Sequence, residues 1–339
     1  MTIAVDKNSL SAIKKGNEYV YLFNNESYEE LKALNMHCIY YKNCQFVDIN
    51  LTNYDINCLK EAKPNENDWD KLPEKKDYKI GIIMPNCNYA EWLNESLGSI
   101  ANQTYRNFEV IFIDDMSTDN SVAIAKSYQD KMNIKVVELK QKRLNGGARN
   151  EGYLYLSNDV DYVWYVDSDD WLIDEHALEL INQRLIGYPD VLFVGISQSI
   201  NHKISIARTP DYKDKYEAML GWSGSCGKVI KKSLATRQEC LYNEGTLKED
   251  KNQHCKICIY MNNFKVLKNP VYVWNRDNHK SVTTIRDKAI WGTSTIRHYA
   301  DTLQLYLTEQ GKDARIDQIL EGRVNQMKLE IDKSGDKQW

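Results

Sequence analysis

Near residue 79 the chain changes from a polar stretch to a regular alternation of apolar runs and amphipathic segments. The segments between the runs carry apolar residues at helical spacing, as in Leu93, Leu97 and Ile100, so they are predicted to be helices. Strands separated by helices need right-handed crossovers, which build a largely parallel sheet covered on both faces. The strands are predicted at residues 80–84, 108–113, 135–139, 162–166 and 191–196.

An α/β domain is therefore expected over residues 79–285, between two regions of different texture. Residues 1–62 mix short aromatic and β-branched runs with Asn-rich turns, which predicts a small N-terminal accessory region that contains strands. Residues 63–78 contain two prolines and no periodicity, as a linker would. Residues 286–339 are predicted to form a C-terminal helical region, whose apolar face fits either packing on the domain or a homo-oligomer.

The composition is that of an ordinary globular protein. The 339 residues are 42% hydrophobic and 27% charged, with a formal net charge of −4 at pH 7. Since the chain has no overall positive field, bulk attraction to nucleic acid or to an anionic membrane is disfavoured. The sequence lacks an apolar run of transmembrane length, and its start lacks the core of a secretory signal, so a soluble cytoplasmic protein is expected.

An acidic cluster of Asp167, Ser168, Asp169 and Asp170 directly follows the apolar run 162–166. In such sheets ligands bind at the carboxyl ends of the strands, so the polar residues after each strand are the candidate site. Carboxylates this close together suit Mg²⁺ or Mn²⁺, which bind through one or two carboxylates and substrate phosphates. Without a cation, the adjacent acids would repel one another. Solvated loop acids are the alternative explanation.

Polar residues also follow the first two predicted strands. Pro85, Asn86 and Asn88 come after the first strand, and Asp114 and Asp115 come after the second. A carboxylate at a strand end can accept hydrogen bonds from a nucleobase or from ribose hydroxyls. Two adjacent acids exceed what one helix cap needs, so the Asp114–Asp115 pair is predicted to bind a ligand.

Two further segments carry candidate chemistry. Asn145 precedes a Gly-Gly pair and Arg149, where backbone amides can approach a phosphate and the guanidinium can add a bidentate contact. A surface turn with an exposed arginine is the alternative. Glu249 and Asp250 stand at the head of a predicted helix, where the helix dipole stabilises a carboxylate that can serve as a general base. An ordinary helix start has the same pattern.

Taken together, five segments strongly resemble family 2 glycosyltransferases in their order and spacing. These segments are 83–89, 95–105, 108–121, 145–150 and 166–170. The resemblance extends from about residue 79 to residue 286. It implies a GT-A fold, which is a Rossmann-like α/β fold with a mostly parallel sheet flanked by helices. It also implies inverting transfer of a hexose or N-acetylhexosamine from a nucleoside-diphosphate sugar, usually a uridine one, to an acceptor hydroxyl.

The resemblance also assigns roles to single residues of this chain. Asp115 matches the residue that contacts the base, and Asp169 matches the principal metal ligand. Asp167 matches an acid that reaches the sugar or the metal. Asp250 matches the base that deprotonates the acceptor, with Glu249 as its neighbour. The expected cofactor is a divalent cation, Mn²⁺ or Mg²⁺.

Further assignments surround this centre. Arg149 matches the region near the diphosphate, and Arg276 with Ser281 resembles a C-terminal loop that closes over the phosphates. His279 is a candidate further metal ligand, with a surface loop histidine as the alternative. The predicted nucleotide-sugar-binding set is completed by Pro85, Asn86, Asn88, Asp114, Asn145 and Ser168.

Single residues decide what is expected of the acceptor site and of the nucleobase pocket. Trp222 is predicted to bind the acceptor, since an indole face can stack on a sugar ring, although a core tryptophan also fits. Cys87 stands where many relatives have a tyrosine that stacks on uracil, and Tyr89 is a possible substitute. The expected partners are a UDP sugar and a hydroxyl-bearing glycan or glycopolymer. A sugar-nucleotide-binding protein without activity and a nucleotidyltransferase of related fold are the alternatives.

Overall fold

A computed structural model describes residues 77–245, 249–278, 300–318 and 320, together with the backbone of four strands that precede them. The chain divides into two compact units. One unit contains Met1–Asp77 and Asn182–Tyr188, and the other contains Tyr78–Ile181 and Pro189–Trp339. All of the candidate site residues belong to the second unit.

The first unit contains an antiparallel sheet whose described strands follow the order of the chain. The strands are β1 (Ser11–Lys15), β2 (Glu18–Leu22), β3 (Cys38–Lys42) and β4 (Gln45–Ile49). Successive strands pair with each other, so the sheet is a meander. Aromatic and β-branched residues favour this extended backbone, as the pattern in this region indicated.

The second unit is built on a mixed sheet, whose described strands have the order β7-β6-β5-β8-β12-β10-β13-β9, with β11 paired to β10. The neighbours from β7 to β8 are parallel, as are β10 and β13. The antiparallel strands are β12, between β8 and β10, and also β9 and β11. The strand bounds are β5 (Ile80–Asn86), β6 (Phe108–Asp114), β7 (Ile134–Glu138), β8 (Tyr162–Tyr165), β9 (Trp171–Leu172), β10 (Val191–Ile200), β11 (Lys203–Arg208), β12 (Lys228–Lys231) and β13 (Phe264–Asn275).

Helices connect these strands. They are α1 (Ala90–Ala101), α2 (Ser121–Lys126), α3 (Leu144–Gly152), α4 (Ala177–Arg184), α5 (Lys215–Leu220), α6 (Lys232–Ala235) and α7 (Glu249–Tyr260). Helix α1 buries Leu93, Leu97 and Ile100, whose spacing predicted it. Strands β5 and β6 are buried at every position, as expected for strands that are covered on both faces.

Gly152 allows helix α3 to lie directly against β5. A Cβ atom at Gly152 would lie 2.6 Å from Cγ2 of Ile83, which is closer than non-bonded carbon atoms approach each other. The preceding turn of α3 carries Arg149. This close packing therefore fixes the position of the Arg149 backbone.

The C-terminal region packs on its own unit where the structure describes it. Residues 300–308 and 314–318 are helical. Tyr306, Ile316 and Leu320 are buried in the same core cluster as residues of the sheet. The homo-oligomer considered for this region stays a prediction.

The predicted α/β fold, with a largely parallel sheet and helices around it, is confirmed. Each of the five predicted strands overlaps an observed strand, from β5 to β8 and β10. The antiparallel insertion of β12 was not predicted. Among the described residues, no helix has both the length and the apolar character that crossing a membrane requires.

Candidate active site

The carboxyl ends of β5, β6 and β8 meet at one edge of the sheet because the three strands are parallel neighbours. The amide of Asp115 donates to the carbonyl of Asn86 at 2.8 Å. The hydroxyl of Ser168 donates to the carbonyl of Pro85 at 2.8 Å. The residues predicted after these three strands are therefore neighbours, and this edge is the candidate active site.

Asp114 and Asn88 hold the loops at this edge through hydrogen bonds within the protein. Asp114 Oδ1 accepts from Asn86 Nδ2 at 2.9 Å, and its Oδ2 accepts from the amide of Ser117 at 2.9 Å. Asn88 has a positive φ of 61°, and its Oδ1 accepts from the amide of Thr118 at 2.7 Å. Asp114 is buried and both of its oxygens serve the turn after β6, so its contact with a ligand stays a prediction.

Asp115 anchors the start of helix α3. Its Oδ1 accepts from the amide of Arg143 at 2.7 Å, and its Oδ2 accepts from the amide of Leu144 at 2.9 Å. Lys142 Nζ donates to the carbonyl of Asp115 at 2.9 Å and lies 2.6 Å from Cys87 Sγ. A cation and a thiol thus occupy the place where the resemblance implies a stacking tyrosine.

The acids after β8 have different surroundings. Asp170 is 3% exposed and accepts from the Tyr272 hydroxyl at 2.5 Å. Its pKa is raised by burial and by the charges of Asp169 and Asp167. Asp169 accepts from Asn278 Nδ2 at 2.7 Å, while burial and the Asp167 carboxylate raise the pKa of Asp169 to about 6. Asp170 therefore supports the turn, and Asp167 and Asp169 are the two acids available to a ligand.

Asp167 and Asp169 fit one side of a site for a divalent cation. Both carboxylates are hard oxygen donors, and a cation would relieve the repulsion that raises the pKa of Asp169. Within the part of the chain that the structure describes, no three imidazole, thiol or carboxylate groups converge on a metal position. Two acids suffice for Mg²⁺ or Mn²⁺ when water and phosphate oxygens complete the shell. His279, the further predicted ligand, lies outside the described residues.

Arg149 is the buried cation of the site. Its side chain is 2% exposed and pairs with Asp167 at 2.7 Å, with Glu249 at 2.8 Å and with Asp250 at 3.3 Å. The guanidinium also lies 5.3 Å from the centre of the Tyr242 ring. One arginine thus joins the end of β8 to the start of α7. Because these ion pairs occupy the guanidinium, its contact with a diphosphate stays a prediction.

Glu249 and Asp250 begin helix α7, and their carboxylates differ in exposure. The Glu249 side chain is 6% exposed and the Asp250 side chain is 36% exposed. Burial raises the pKa of Glu249 to about 7, with repulsion from Asp250 adding to the effect and Arg149 opposing it. Asp250 Oδ1 accepts from Arg149 and from the hydroxyl of Ser225. Asp250 is therefore the member of the pair that can meet a substrate.

Gly146 forms part of the contact between α3 and α7. A Cβ atom there would lie 3.0 Å from Glu249 Cγ and 3.0 Å from the carbonyl oxygen of Asn243. The first glycine of the pair that the sequence associates with a phosphate therefore lets α3 approach α7, and this brings Arg149 close to Glu249 and Asp250. Asn145, just before the pair, is exposed, and its contact with the donor stays a prediction.

The predicted acceptor and phosphate contacts lie farther out. Trp222 is half-buried, and a Cβ atom at Gly227 would lie 2.5 Å from Cζ3 of its indole, so the ring packs on this glycine. Arg276 is exposed, with its guanidinium 4.3 Å from the centre of the Trp274 ring. The roles of Trp222 and Arg276 stay predictions, and Ser281 lies outside the described residues.

Four residues of the site were not predicted from the sequence. They are Ser225, Tyr242, Tyr272 and Asn278. Ser225 follows the predicted acceptor residue Trp222, and Tyr242 precedes Glu249. The nearness of these two residues to assigned positions was the signal available in the sequence.

The region of the chain that contains this sheet edge is similar to known proteins. Residues 81–235 match the family model described as glycosyl transferase family 2. The chain carries a family 2 glycosyltransferase domain. The matched region begins in β5 and ends with α6, so it includes the strand-end acids and stops before α7.

Relatives of the family 2 domain occur in several bacteria. Glycosyltransferase GlyA of Streptococcus pneumoniae serotype 4 is 35% identical over 126 residues, which cover 37% of this chain and 18% of GlyA. The poly(ribitol-phosphate) beta-N-acetylglucosaminyltransferase TarS of Staphylococcus aureus is 30% identical over 122 residues, 32% of this chain and 21% of TarS. The amylovoran biosynthesis glycosyltransferase AmsB of Erwinia amylovora is 36% identical over 129 residues, 36% of this chain and 42% of AmsB. The chain spans less than half the length of each of these relatives.

A solved structure shows the same architecture. The crystal structure of Staphylococcus aureus TarS 1–349 in complex with UDP-GlcNAc superposes with a TM-score of 0.63 at 22% identity. The superposition covers 73% of this chain and 72% of that chain. At this identity the likeness shows the fold alone, and it confirms the GT-A fold predicted for the family 2 domain.

Replacing Arg149 of the family 2 domain by methionine is expected to lower the free energy of unfolding by about 3–5 kcal/mol at neutral pH. The change leaves three carboxylates without their shared counter-ion. Arg143→Met is the matched control, because Arg143 pairs with Glu151 and Glu244 nearer the surface and its loss is expected to cost about 0–1 kcal/mol. Urea unfolding followed by tryptophan fluorescence measures both variants. Equal losses would contradict the central place given to Arg149.

The Glu249→Gln variant is expected to gain stability relative to the wild type as the pH rises from about 5 to about 8. In the folded chain the pKa of Glu249 is raised from 4.5 to about 7. Between these values the folded state binds more protons than the unfolded state, so ionisation of the buried carboxylate lowers the free energy of unfolding as the pH increases. Glutamine does not titrate. Urea midpoints across this pH range measure the effect, and a constant difference between the two proteins would refute it.

Proposed function

We propose that the chain is an inverting glycosyltransferase that moves a hexose or N-acetylhexosamine from a nucleoside-diphosphate sugar to an acceptor hydroxyl. The observation that carries the proposal is that Asp167, at the end of β8, and Asp250, at the start of α7, bind one guanidinium, that of Arg149. A donor-side acid and a candidate base are thereby held in one site. A single displacement needs this arrangement, because the nucleophile and the leaving group must be oriented about the same carbon.

The donor is proposed to be a UDP sugar that binds at the ends of β5 and β6. Asn86 Oδ1 is buried without a partner among the described residues, so it offers an acceptor to a ring N–H of the base. Asp115 is its hydrogen-bonded neighbour. The TarS structure contains UDP-GlcNAc, which supports a uridine nucleotide and an N-acetylhexosamine for this chain. Cys87 and Lys142 lie at the position expected for the stacking tyrosine. Polar contacts are therefore proposed to contribute more than ring stacking to binding of the base.

A divalent cation, Mn²⁺ or Mg²⁺, is proposed to bind at Asp169 and Asp167. Bound there, it would neutralise charge that develops on the departing nucleoside diphosphate. The protein's own contribution is to orient the two acids: Arg149 donates to Asp167 and Asn278 donates to Asp169. Both donors leave further carboxylate lone pairs for a ligand.

Asp250 is proposed as the general base. Its side chain is 36% exposed, and its described hydrogen bonds, from Arg149 and Ser225, both reach Oδ1. Its Oδ2 is therefore the oxygen proposed to take the proton from the acceptor hydroxyl. Glu249 is buried and its pKa is raised to about 7, so it is proposed to support Asp250 rather than to replace it.

The acceptor is proposed to be a glycan or glycopolymer. TarS is a poly(ribitol-phosphate) beta-N-acetylglucosaminyltransferase, which supports a polymeric acceptor for this chain. The half-exposed Trp222 is proposed to contact the acceptor sugar. The loop with Arg276, His279 and Ser281 is proposed to close over the phosphates of the donor.

The Asp250→Asn variant is expected to lose sugar transfer and donor hydrolysis by about 100-fold or more while it still binds the donor, because an amide cannot accept the proton. A panel of nucleoside-diphosphate sugars with Mn²⁺, scored by release of the nucleoside diphosphate, first identifies the donor. Calorimetry with that donor then compares binding by the variant and the wild type. Near wild-type turnover in the variant would overturn the base assignment. A wild type that binds the donor without any release would indicate a binding protein.

The Asp169→Ala variant is expected to lose Mn²⁺ binding and activity together, because it removes the principal proposed ligand. Asp130→Ala, at an exposed acid of the same domain, is the control. Electron paramagnetic resonance of free Mn²⁺ measures binding, and nucleotide release with and without a chelator measures the dependence on metal. An active variant that ignores the chelator would disprove the metal role of Asp169.

A further inference from the structure

A chain of buried hydroxyl groups ends on Asp250. The hydroxyl of Tyr153 hydrogen-bonds to that of Tyr165, which lies beside Tyr242. The hydroxyl of Tyr242 lies 2.6 Å from Ser225 Oγ, and Ser225 Oγ hydrogen-bonds to Asp250 Oδ1. All four hydroxyl-bearing residues are buried. We refer to Tyr153, Tyr165, Tyr242 and Ser225 as the hydroxyl chain.

The hydroxyl chain is assembled from separate parts of the fold. Tyr153 directly follows α3, and Tyr165 ends β8. Tyr242 lies in the segment before α7, and Ser225 begins the short 3-10 turn that leads into β12. The rings of Tyr165 and Tyr242 also make an edge-to-face contact, with their centres 5.5 Å apart. The chain is therefore held by packing as well as by hydrogen bonds.

The Asp250 carboxylate sets the direction of these hydrogen bonds. An ionised carboxylate only accepts, so the single proton of the Ser225 hydroxyl is donated to Asp250. Tyr242 must then donate to Ser225. Burial raises the pKa of each of the three tyrosines, so they stay protonated and remain donors. Successive hydrogen bonds of one direction strengthen each other.

Arg149 holds the same oxygen of Asp250 from another side. Its ion pair with Asp250, at 3.3 Å, is longer than its ion pairs with Asp167, at 2.7 Å, and with Glu249, at 2.8 Å. The guanidinium alone therefore restrains the Asp250 carboxylate less than it restrains the other two. Ser225 supplies the shorter contact to Oδ1.

We propose that Ser225, oriented by Tyr242, is a positioning residue for Asp250. With Arg149 it fixes Oδ1, sets the rotation of the carboxylate and directs Oδ2 toward the acceptor hydroxyl. This inference rests on the proposed glycosyltransferase function and adds to it the group that orients the base. The role is one of geometry, since the proton of the acceptor hydroxyl goes to Asp250 itself.

The test uses the full chain with Mn²⁺ and UDP-GlcNAc, or the most active donor of the panel, with water as the acceptor and nucleotide release as the readout. Ser225→Ala is expected to lower kcat about 10- to 100-fold and to leave KM for the donor within about twofold, because a misplaced base slows chemistry without weakening donor binding. Ser223→Ala, in the same segment, is the matched control and is expected to keep the wild-type kcat.

A double substitution separates positioning from a general loss of structure. If Ser225 acts through Asp250, the Ser225→Ala/Asp250→Asn protein keeps the residual rate of Asp250→Asn alone. A structural role would instead multiply the two losses. Tyr242→Phe keeps the ring, removes the donor to Ser225 and is expected to lower kcat to a smaller extent at constant KM. It provides the test if thermal melting shows that Ser225→Ala is unfolded.

Two outcomes would overturn the positioning role: a wild-type kcat in Ser225→Ala and Tyr242→Phe, or multiplied losses in the double variant. Either outcome leaves the glycosyltransferase proposal standing, because the wild type still releases nucleotide. Absence of release by the wild type across the whole donor panel would refute the proposed activity itself.

Discussion

The geometry of the site depends on the burial of one guanidinium, that of Arg149, among three carboxylates. A buried cation without partners is costly, and so is a group of acids without a counter-ion. Each therefore compensates for the other only if the end of β8 and the start of α7 both lie within reach of the Arg149 side chain on α3. Gly152 and Gly146 allow this arrangement, because they let α3 lie directly against β5 and α7. The ion pairs thus set the spacing between the proposed donor side and the proposed acceptor side of the site.

This compensation is incomplete, since one cation faces three acids and two further acids follow at the end of β8. The remaining repulsion, together with burial, raises the pKa of Glu249 to about 7 and that of Asp169 to about 6. Protons take up part of the excess negative charge in the free protein. Under the proposed function, a cation that accompanies the donor relieves more of it. A metal-bound nucleotide sugar is then favoured over a free diphosphate, which the same acids repel.

Much of the fold could be predicted because its central strands are buried on both faces. The runs 80–84 and 108–113 are continuous and apolar, and they became β5 and β6 because helices cover both sides of the sheet. The position of β12 could not be predicted. Its four residues carry no signal for direction, which is set by pairing with β8, where Val229 lies opposite Trp164. That pairing joins distant parts of the chain, and local periodicity does not encode it.

For the site, residue types and strand ends were enough to locate the acids, whereas their partners were not predictable. Asp170 and Tyr272 are 102 positions apart, and Arg149 and Glu249 are 100 positions apart. The glycine pair before Arg149 predicts a phosphate contact, and in the structure Gly146 also lets α3 pack on α7 beside the buried guanidinium. Neighbouring acids of the same type also differ in their surroundings, because the fold brings Tyr272 to Asp170 and Asn278 to Asp169. Tertiary structure thus decides which residues form hydrogen bonds and ion pairs with each other. The hydroxyl chain is the part of the site that local sequence predicts least, because its members come from separate elements.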